Sequence, residues 1–282
     1  MKPRMPEIEI ATLSDVGLKR SSNQDAMGIF ERPDGSRLMV VADGMGGHQG
    51  GEIASQLALE AIAEHFSASH GPPTQVLREA FVHANARIRA RAQQEPHLMG
   101  MGTTGVALWL GGDGRIWVAH VGDSRAYRFR YGSLEVLTAD HSVVGEMLRR
   151  GLLSQAEADI HPRRNELMRS IGSLEQVEVD LAEVGAEAGD QFLLCSDGLC
   201  GVIDDSEIGA VLLRETPSLA VRRLVEMANA RGGPDNITVQ IAALRHPRAR
   251  IGQLWVPAGW QWTLLIGAAL LLAGLAGFAL AH

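Results

Sequence analysis

Short apolar or alternating runs, each ended by a glycine or an aspartate, recur along residues 1–244 of this 282-residue chain. Runs of this length and pattern indicate β-strands, because alternation suits a half-buried strand. We predict strands at 8–14, 26–30, 37–42, 104–110, 115–121, 125–130, 177–184, 191–196 and 237–244. Turn sequences such as Pro33-Asp34-Gly35 and Gly111–Gly114 connect consecutive runs directly, which favours antiparallel hairpins over a parallel doubly wound sheet.

Helical periodicity occupies two long blocks, 52–66 and 74–94. Shorter helices are predicted at 142–151, after Ser154, at 206–213 and at 218–230. Ser154 is followed three residues later by Glu157, which is the pattern of a capping box. Helices that alternate with groups of strands predict the α+β class, with helices layered on a β-sandwich.

The C-terminal segment 262–281 contains twenty residues without a charge. At ~1.5 Å per residue, a helix of this length matches a hydrocarbon core of about 30 Å. Three tryptophans lie at its N-terminal edge and three arginines lie just before them: Trp255, Trp260 and Trp262, and Arg245, Arg248 and Arg250. This flank predicts a single-pass anchor in the inner membrane with the preceding body in the cytoplasm. A buried core helix is the alternative, but one of this length usually carries a polar stripe.

The chain therefore divides into a globular domain at 1–244, a basic juxtamembrane linker at 245–261 and a transmembrane helix at 262–281. The N-terminus has no apolar signal-peptide core, so we expect a cytosolic domain. Cys195 and Cys200 are expected to be free thiols, because no second ligand pair for zinc accompanies them. Small residues recur every four positions in the anchor, which favours a weak homodimer contact: Ala269, Ala273, Gly277 and Ala281.

The net charge of −7 divides unevenly, because the segment from Arg245 onward carries three arginines and no acidic residue. Residues 1–244 consequently hold 33 acidic and 23 basic side chains, a net charge of −10. An acidic body without a lysine and arginine cluster argues against nucleic acid as its main ligand, because binding to a phosphate backbone needs a positive face. Such a body is instead suited to binding cations.

Aspartates follow apolar strands at three places, and a fourth precedes the last strand: Asp43, Asp123, Asp197 and Asp235. Asp-Gly turns explain any single case. Four cases beside very small residues indicate a ligand that approaches the backbone closely. Carboxylates gathered at one rim repel one another unless a cation compensates, and oxygen ligands favour Mg²⁺ or Mn²⁺ over zinc.

Six motifs in this order resemble the metal-dependent protein phosphatases of the PP2C (PPM) type in their bacterial form. They are RSSNQD at 20–25, VADGMGGH at 41–48, MGTT at 101–104, VGDSR at 121–125, CSDG at 195–198 and GPDN at 233–236. The resemblance covers about residues 8–244. It implies a four-layer α-β-β-α sandwich with a binuclear Mn²⁺ or Mg²⁺ centre that hydrolyses phosphoserine and phosphothreonine.

The resemblance also implies residue roles. Asp43 would bridge two metal ions, with the Gly44 carbonyl on one of them. Asp197 and Asp235 would bind the other ion, and Asp25 would act through metal-bound water. Asp123 would help to hold a third, weaker ion. Arg20 would bind the substrate phosphate, a role that suits its bidentate geometry; the alternative is an exposed arginine paired with Asp25.

Two residues depart from the family pattern. Met45 stands where eukaryotic members carry a histidine after the bridging Asp-Gly, and Gln24 stands where some members have glutamate. The acid for the leaving group is therefore His48, a metal-bound water, or neither, in which case His48 caps the following helix. The glycines at 44, 46, 47 and 50 lack the lysine of a P-loop, so we attribute them to close packing at the metals.

Residues 140–172 correspond to a mobile flap beside the site in this family, and they carry five arginines: Arg149, Arg150, Arg163, Arg164 and Arg169. These arginines either contact phosphopeptides or form a solvated helical face. The predicted partners are phosphorylated proteins, namely a Ser/Thr kinase or its substrates. Two alternatives stay open: a catalytically silent regulator of a membrane complex that binds metal or phosphopeptide, and an enzyme acting on an anti-sigma-antagonist-type regulator.

Overall fold

The computed structural model describes residues 7–245, 248–251 and 254–257. The strands in these ranges are β1 Glu7–Asp15, β2 Asp25–Glu31, β3 Arg37–Met45, β4 Gly102–Thr103, β5 Gly105–Leu110, β6 Ile116–Val121, β7 Arg125–Arg130, β8 Ser133–Val136, β9 Asp180–Val184, β10 Gln191–Cys195, β11 Ile237–Arg245, β12 Arg248–Ile251 and β13 Leu254–Pro257. The helices are α1 Gly47–Ala68, α2 Pro73–Gln94, α3 Val143–Arg149, α4 Gln155–Asp159, α5 Asp197–Cys200, α6 Asp205–Arg214 and α7 Pro217–Ala230.

Two antiparallel sheets form the centre of the fold. One sheet has the strand order β2-β3-β5-β6-β9, with the short strand β4 paired to β3, and the other has the order β1-β11-β10-β7-β8. Neighbouring strands in both sheets are antiparallel, as the short turns predict.

Three apolar layers hold the sheets and helices together. Met39, Leu108 and Phe192 belong to the layer between the two sheets, where each is fully buried. A second layer joins helices α1 and α2 to the first sheet, and a third joins α6 and α7 to the second sheet. The order of layers is therefore α-β-β-α, so the predicted architecture is confirmed.

The structure adds elements that the sequence pattern did not predict. Strand β8 is only four residues long and mostly exposed, so it was not predicted as a strand of its own. Helix α5 is only four residues long, which is too short to produce a helical pattern of apolar residues in the sequence. All nine predicted strands have observed counterparts, although β9 begins at Asp180 rather than at residue 177.

The predictions for the C-terminal segment concern residues after β11. Strands β12 and β13 pair with each other inside the segment 245–261, which we predicted as a basic juxtamembrane linker without strands. The predicted transmembrane segment 262–281 lies outside the described residues. Among the residues that are described, no helix is long and apolar enough to cross a membrane.

Candidate metal centre

A cleft of about 520 Å³ opens at one end of the two sheets. Its lining includes six of the residues singled out from the sequence: Arg20, Asp43, Gly44, Asp123, Asp197 and Asp235. The aspartates lie near the ends of regular elements, whereas Arg20 lies in the loop between β1 and β2. Asp43 lies near the end of β3, Asp123 follows β6, and Asp197 is the first residue of α5 after β10. The fold thus gathers carboxylates from both sheets at one rim.

Asp25 and Asp43 lie directly opposite each other in the pairing of β2 with β3. Opposed residues of an antiparallel pair project to the same face with their Cβ atoms about 5 Å apart, and like charges in that position are destabilising. Ser196 donates a hydrogen bond to one Asp25 oxygen at 2.7 Å. The other oxygen, Oδ1, is buried and has no partner among the described residues.

Burial and crowding shift the acidity of this group. Burial, followed by the nearby charge of Asp197, raises the pKa of Asp25 to about 6 and that of Asp123 to about 8. Burial and the charge of Asp25 hold the pKa of Asp43 well above its usual range. The pKa of Asp197 is also raised, by burial and by Asp235. A nearby cation would favour the ionised form of all four carboxyls.

Threonines from β4 and its junction with β5 fix the backbone of Asp43. The Asp43 N–H donates to Thr104 Oγ1 at 3.0 Å, and the Asp43 carbonyl accepts from the Thr104 N–H at 2.8 Å. Thr103 Oγ1 donates to the same carbonyl at 2.7 Å. The sequence motif contained both threonines without showing what they do.

The buried carboxamide of Asn236 connects the last strand to the loop that carries Arg20. Its Nδ2 donates to the carbonyls of Val16 and Ser22, both at 2.9 Å, and its Oδ1 accepts from the Gln24 N–H at 2.8 Å. Asn236 follows Asp235 directly. One side chain therefore fixes the position of Asp235 relative to the loop of Arg20.

Arg20 lies at the rim of the cleft with about half of its side chain (51%) exposed. Its guanidinium donates to Asp235 Oδ2 at 2.7 Å, so its partner is Asp235 and not Asp25. This contact, with the charges of Asp235, Asp43 and Asp197, raises the pKa of Arg20. The arrangement leaves guanidinium N–H groups facing solvent beside the carboxylates.

Gly44 explains why small residues surround the acidic cluster. A Cβ atom at this position would lie 2.0 Å from the carbonyl oxygen of Gly51 in α1, so only glycine allows the strand and helix to approach this closely. Gln24 Nε2 donates to the carbonyl of Gly47 at 2.8 Å. His48 belongs to α1, but its side chain lies outside the described part of the chain, so its role as an acid stays a prediction.

The arginines of the flap region 140–172 differ in their surroundings. Arg149 and Arg150 both pair with Glu146, and Arg163 pairs with Glu166. Arg169 pairs with Glu178 and Asp180. Arg164 forms no ion pair with any residue that the structure describes, and it lines a second cleft next to the acidic one.

Sequence comparison assigns the family. A profile of protein phosphatase 2C matches residues 19–235. The chain belongs to the protein phosphatase 2C family. It is 40% identical over 236 residues to the serine/threonine protein phosphatase PstP of Mycobacterium tuberculosis, a match that covers 83% of this chain and 45% of PstP. This chain thus spans less than half of that relative.

A second relative and a crystal structure of the PstP catalytic domain match over their full length or nearly so. Protein phosphatase PhpP of Streptococcus pneumoniae is 37% identical over 247 residues, which cover 86% of this chain and 100% of PhpP. A crystal structure of the catalytic domain of PstP in complex with two manganese ions is similar to this fold with a TM-score of 0.76. That match has 37% identity and covers 84% of this chain and 98% of the crystallised one.

Proposed function

We propose that this chain is a metal-dependent protein serine/threonine phosphatase that removes phosphate from phosphoserine and phosphothreonine. The observation that carries the proposal is that Asp25 lies opposite Asp43 in the pairing of β2 with β3, beside a cleft lined by Asp43, Asp123, Asp197 and Asp235. Carboxylates this close together favour a compensating positive charge, because burial and mutual repulsion otherwise raise their pKa values. The names of the relatives support the same activity.

Mn²⁺ or Mg²⁺ fits this donor set. Carboxylate and carbonyl oxygens are the ligands these cations prefer, and the unpartnered Asp25 Oδ1 is a further available oxygen. By the family pattern Asp43 would bridge two ions, the Gly44 carbonyl would bind one of them, and Asp197 and Asp235 would bind the other. Asp123 would hold a third ion more weakly. Bound ions would polarise the phosphoryl group and lower the pKa of a water molecule toward neutrality, which supplies the nucleophile.

The protein itself binds and orients the phosphoryl group. Arg20 presents five N–H donors in a planar fork, of which one is engaged by Asp235. The remaining donors can bind two phosphoryl oxygens while the contact to Asp235 keeps the side chain at the rim. The threonines behind Asp43 hold its backbone in place during this step.

Hydrolysis of a phosphothreonine peptide by the full chain tests the proposal. We expect activity that requires Mn²⁺ or Mg²⁺ and falls by ~10²-fold or more in Asp43→Asn. Asp113→Asn is the matched control, because Asp113 is exposed and pairs with Arg115 in a surface turn. The proposal is lost if the wild type and Asp43→Asn are equally inert at every metal concentration.

We further propose that residues 262–281 anchor this phosphatase in the inner membrane, with its catalytic domain in the cytoplasm. The support is the uncharged apolar sequence and the basic flank that precedes it. The phosphatase would then act on phosphorylated proteins near the membrane, namely a Ser/Thr kinase or the proteins that this kinase phosphorylates. The small residues of the anchor would contact a second copy of the chain.

Topology mapping tests the anchor. A reporter fused after His282 should be active outside the cytoplasm, and a second reporter fused at the N-terminus should be active inside it. A cytoplasmic signal from the C-terminal fusion would eliminate the spanning arrangement. That outcome would leave the phosphatase proposal unaffected.

A further inference from the structure

Two buried histidines, His120 and His141, lie behind the turn that carries Asp123 and have no part in the proposed reaction. Their rings stack with centroids 4.5 Å apart and planes inclined by 24°. His141 Nε2 lies 3.3 Å from an oxygen of the half-exposed Asp180 carboxylate. Ligand atoms of the three side chains lie within 4.8 Å of one another, a spacing that would allow a metal ion.

Existing hydrogen bonds argue against a metal at these three side chains. The Gly122 N–H donates to His141 Nδ1 at 3.2 Å, so this nitrogen carries the lone pair and the proton sits on Nε2, which faces Asp180. Arg169 already donates to Asp180 at 3.0 Å. Both His141 ring nitrogens and the Asp180 carboxylate therefore already have partners in the protein. The two stacked histidines need an explanation other than metal binding.

His141 connects three segments around the cleft. Its N–H donates to the Gly122 carbonyl at 2.9 Å while its ring accepts from the Gly122 N–H, so both backbone polar groups of Gly122 bond to one residue. Its carbonyl accepts from the Met168 N–H at 2.7 Å. The start and the end of the flap are therefore tied to the residue immediately before Asp123.

Gly122 has little freedom in this arrangement. Its φ of +106° is a conformation that favours glycine, and a Cβ atom would lie 2.6 Å from Thr104 Cβ. The peptide is thus held between Thr104, which also bonds to Asp43, and His141. The ring of His141 bonds to the N–H on one side of Gly122, and its backbone N–H bonds to the carbonyl on the other side, next to Asp123. A change in the Gly122 dihedral angles would turn the Asp123 carboxylate away from the cleft.

We propose that His141 is a positioning residue for the phosphatase centre: its Nδ1 fixes the Gly122 peptide and so aims the Asp123 carboxylate into the cleft. This inference rests on the proposed function, since only there does Asp123 hold a metal ion. Burial and the neighbouring His120 lower the pKa of His141, which keeps the ring neutral and Nδ1 free to accept near neutral pH.

Matched variants separate the acceptor from the rest of the ring. His141→Asn places an amide oxygen near the position of Nδ1 and retains the acceptor, whereas His141→Gln places its amide near Nε2 and loses it. His97→Gln is the control, because His97 is exposed at the surface. In calorimetric titrations of the metal-free full chain with Mn²⁺, we expect His141→Gln to weaken the weakest-binding ion by ~10-fold or more. His141→Asn and His97→Gln should retain wild-type affinity.

Nitrogen NMR of the metal-free wild type gives a readout that needs neither turnover nor folded variants. The His141 ring should show a protonated Nε2 and an acceptor Nδ1, and the Gly122 amide should be protected from exchange. The inference is overturned by the opposite tautomer, by wild-type Mn²⁺ affinity in a folded His141→Gln, or by equal losses in the Asn and Gln variants. A wild type that shows these NMR signals but hydrolyses no phosphopeptide contradicts the proposed function instead.

Discussion

At the scale of single residues, the acidic cluster consists of carboxyl groups that would repel one another if all of them were ionised. Asp25 and Asp43 are opposed across two strands, and Asp123 and Asp197 approach the same cleft. Each of these four carboxyls has a raised pKa because burial and neighbouring carboxylates disfavour its charge. The same feature that would bind cations should therefore destabilise the metal-free protein as its carboxyls ionise.

Asp123 gives a pH-dependent prediction. Its pKa of about 8 in the folded protein exceeds the ordinary aspartate value of 3.8, so its stabilising contribution is complete below pH ~4 and is lost as the pH rises through 8. Asp123→Asn removes this loss. In EDTA, the melting temperature of the variant relative to wild type should rise by ~2 °C or more between pH 5 and pH 9. A difference that does not change with pH would contradict the assignment.

Arg20 gives a prediction for substrate binding. Arg20→Ala should lower kcat/KM for a phosphopeptide by about 10²-fold, and Arg20→Lys should recover only part of the loss because a lysine cannot bind two oxygens bidentately. Arg115→Ala, at an exposed arginine paired with Asp113, should match the wild type. Full activity in Arg20→Ala would exclude it from phosphate binding.

At the scale of elements, glycines set how closely the strand ends meet the helices. Gly198 follows Asp197 in α5, and a Cβ atom there would lie 1.9 Å from the carbonyl oxygen of Asn236. This contact joins the start of α5 to the segment that carries Asp235. It is a backbone contact, so a side chain could be accommodated only by moving one of the two segments.

Gly198→Ala should therefore destabilise the protein by ~1–3 kcal/mol, as measured by chemical denaturation, and weaken Mn²⁺ binding. Gly185→Ala is the control, because no atom lies within 4 Å of its added Cβ and its backbone is unstrained. Equal stability in the two variants would show that the contact between α5 and Asn236 is not rigid.

The elements also show which features could be predicted from the sequence. Apolar runs that end in aspartate correctly gave the strands and the carboxylates at their ends, because both depend on local pattern. The supporting contacts could not be predicted in this way. Thr104 bonds to a residue 61 positions away and Asn236 to one 212 positions away, so their roles depend on strand register. The ring of His141 is likewise placed by tertiary structure, and none of the six motifs contains it.

At the scale of the whole molecule, the candidate metal centre joins the two sheets. Asp43 belongs to the sheet of β2 and β3, whereas Asp197 and Asp235 adjoin β10 and β11 of the other sheet. The sandwich places these strand ends at one rim, and a cation bound there would hold both layers. Part of the net charge of −10 on residues 1–244 would therefore come from carboxylates that bind cations.

Calorimetric titration of the metal-free full chain with Mn²⁺ tests this central claim most directly. We predict two tightly bound ions per chain in the wild type, because the oxygens of the cluster suffice for two ions that share Asp43. Asp43→Asn should lose the paired binding, while the surface variant Asp113→Asn should retain it. Absence of Mn²⁺ binding in the wild type, or equal stoichiometry and affinity in Asp43→Asn, would contradict the account.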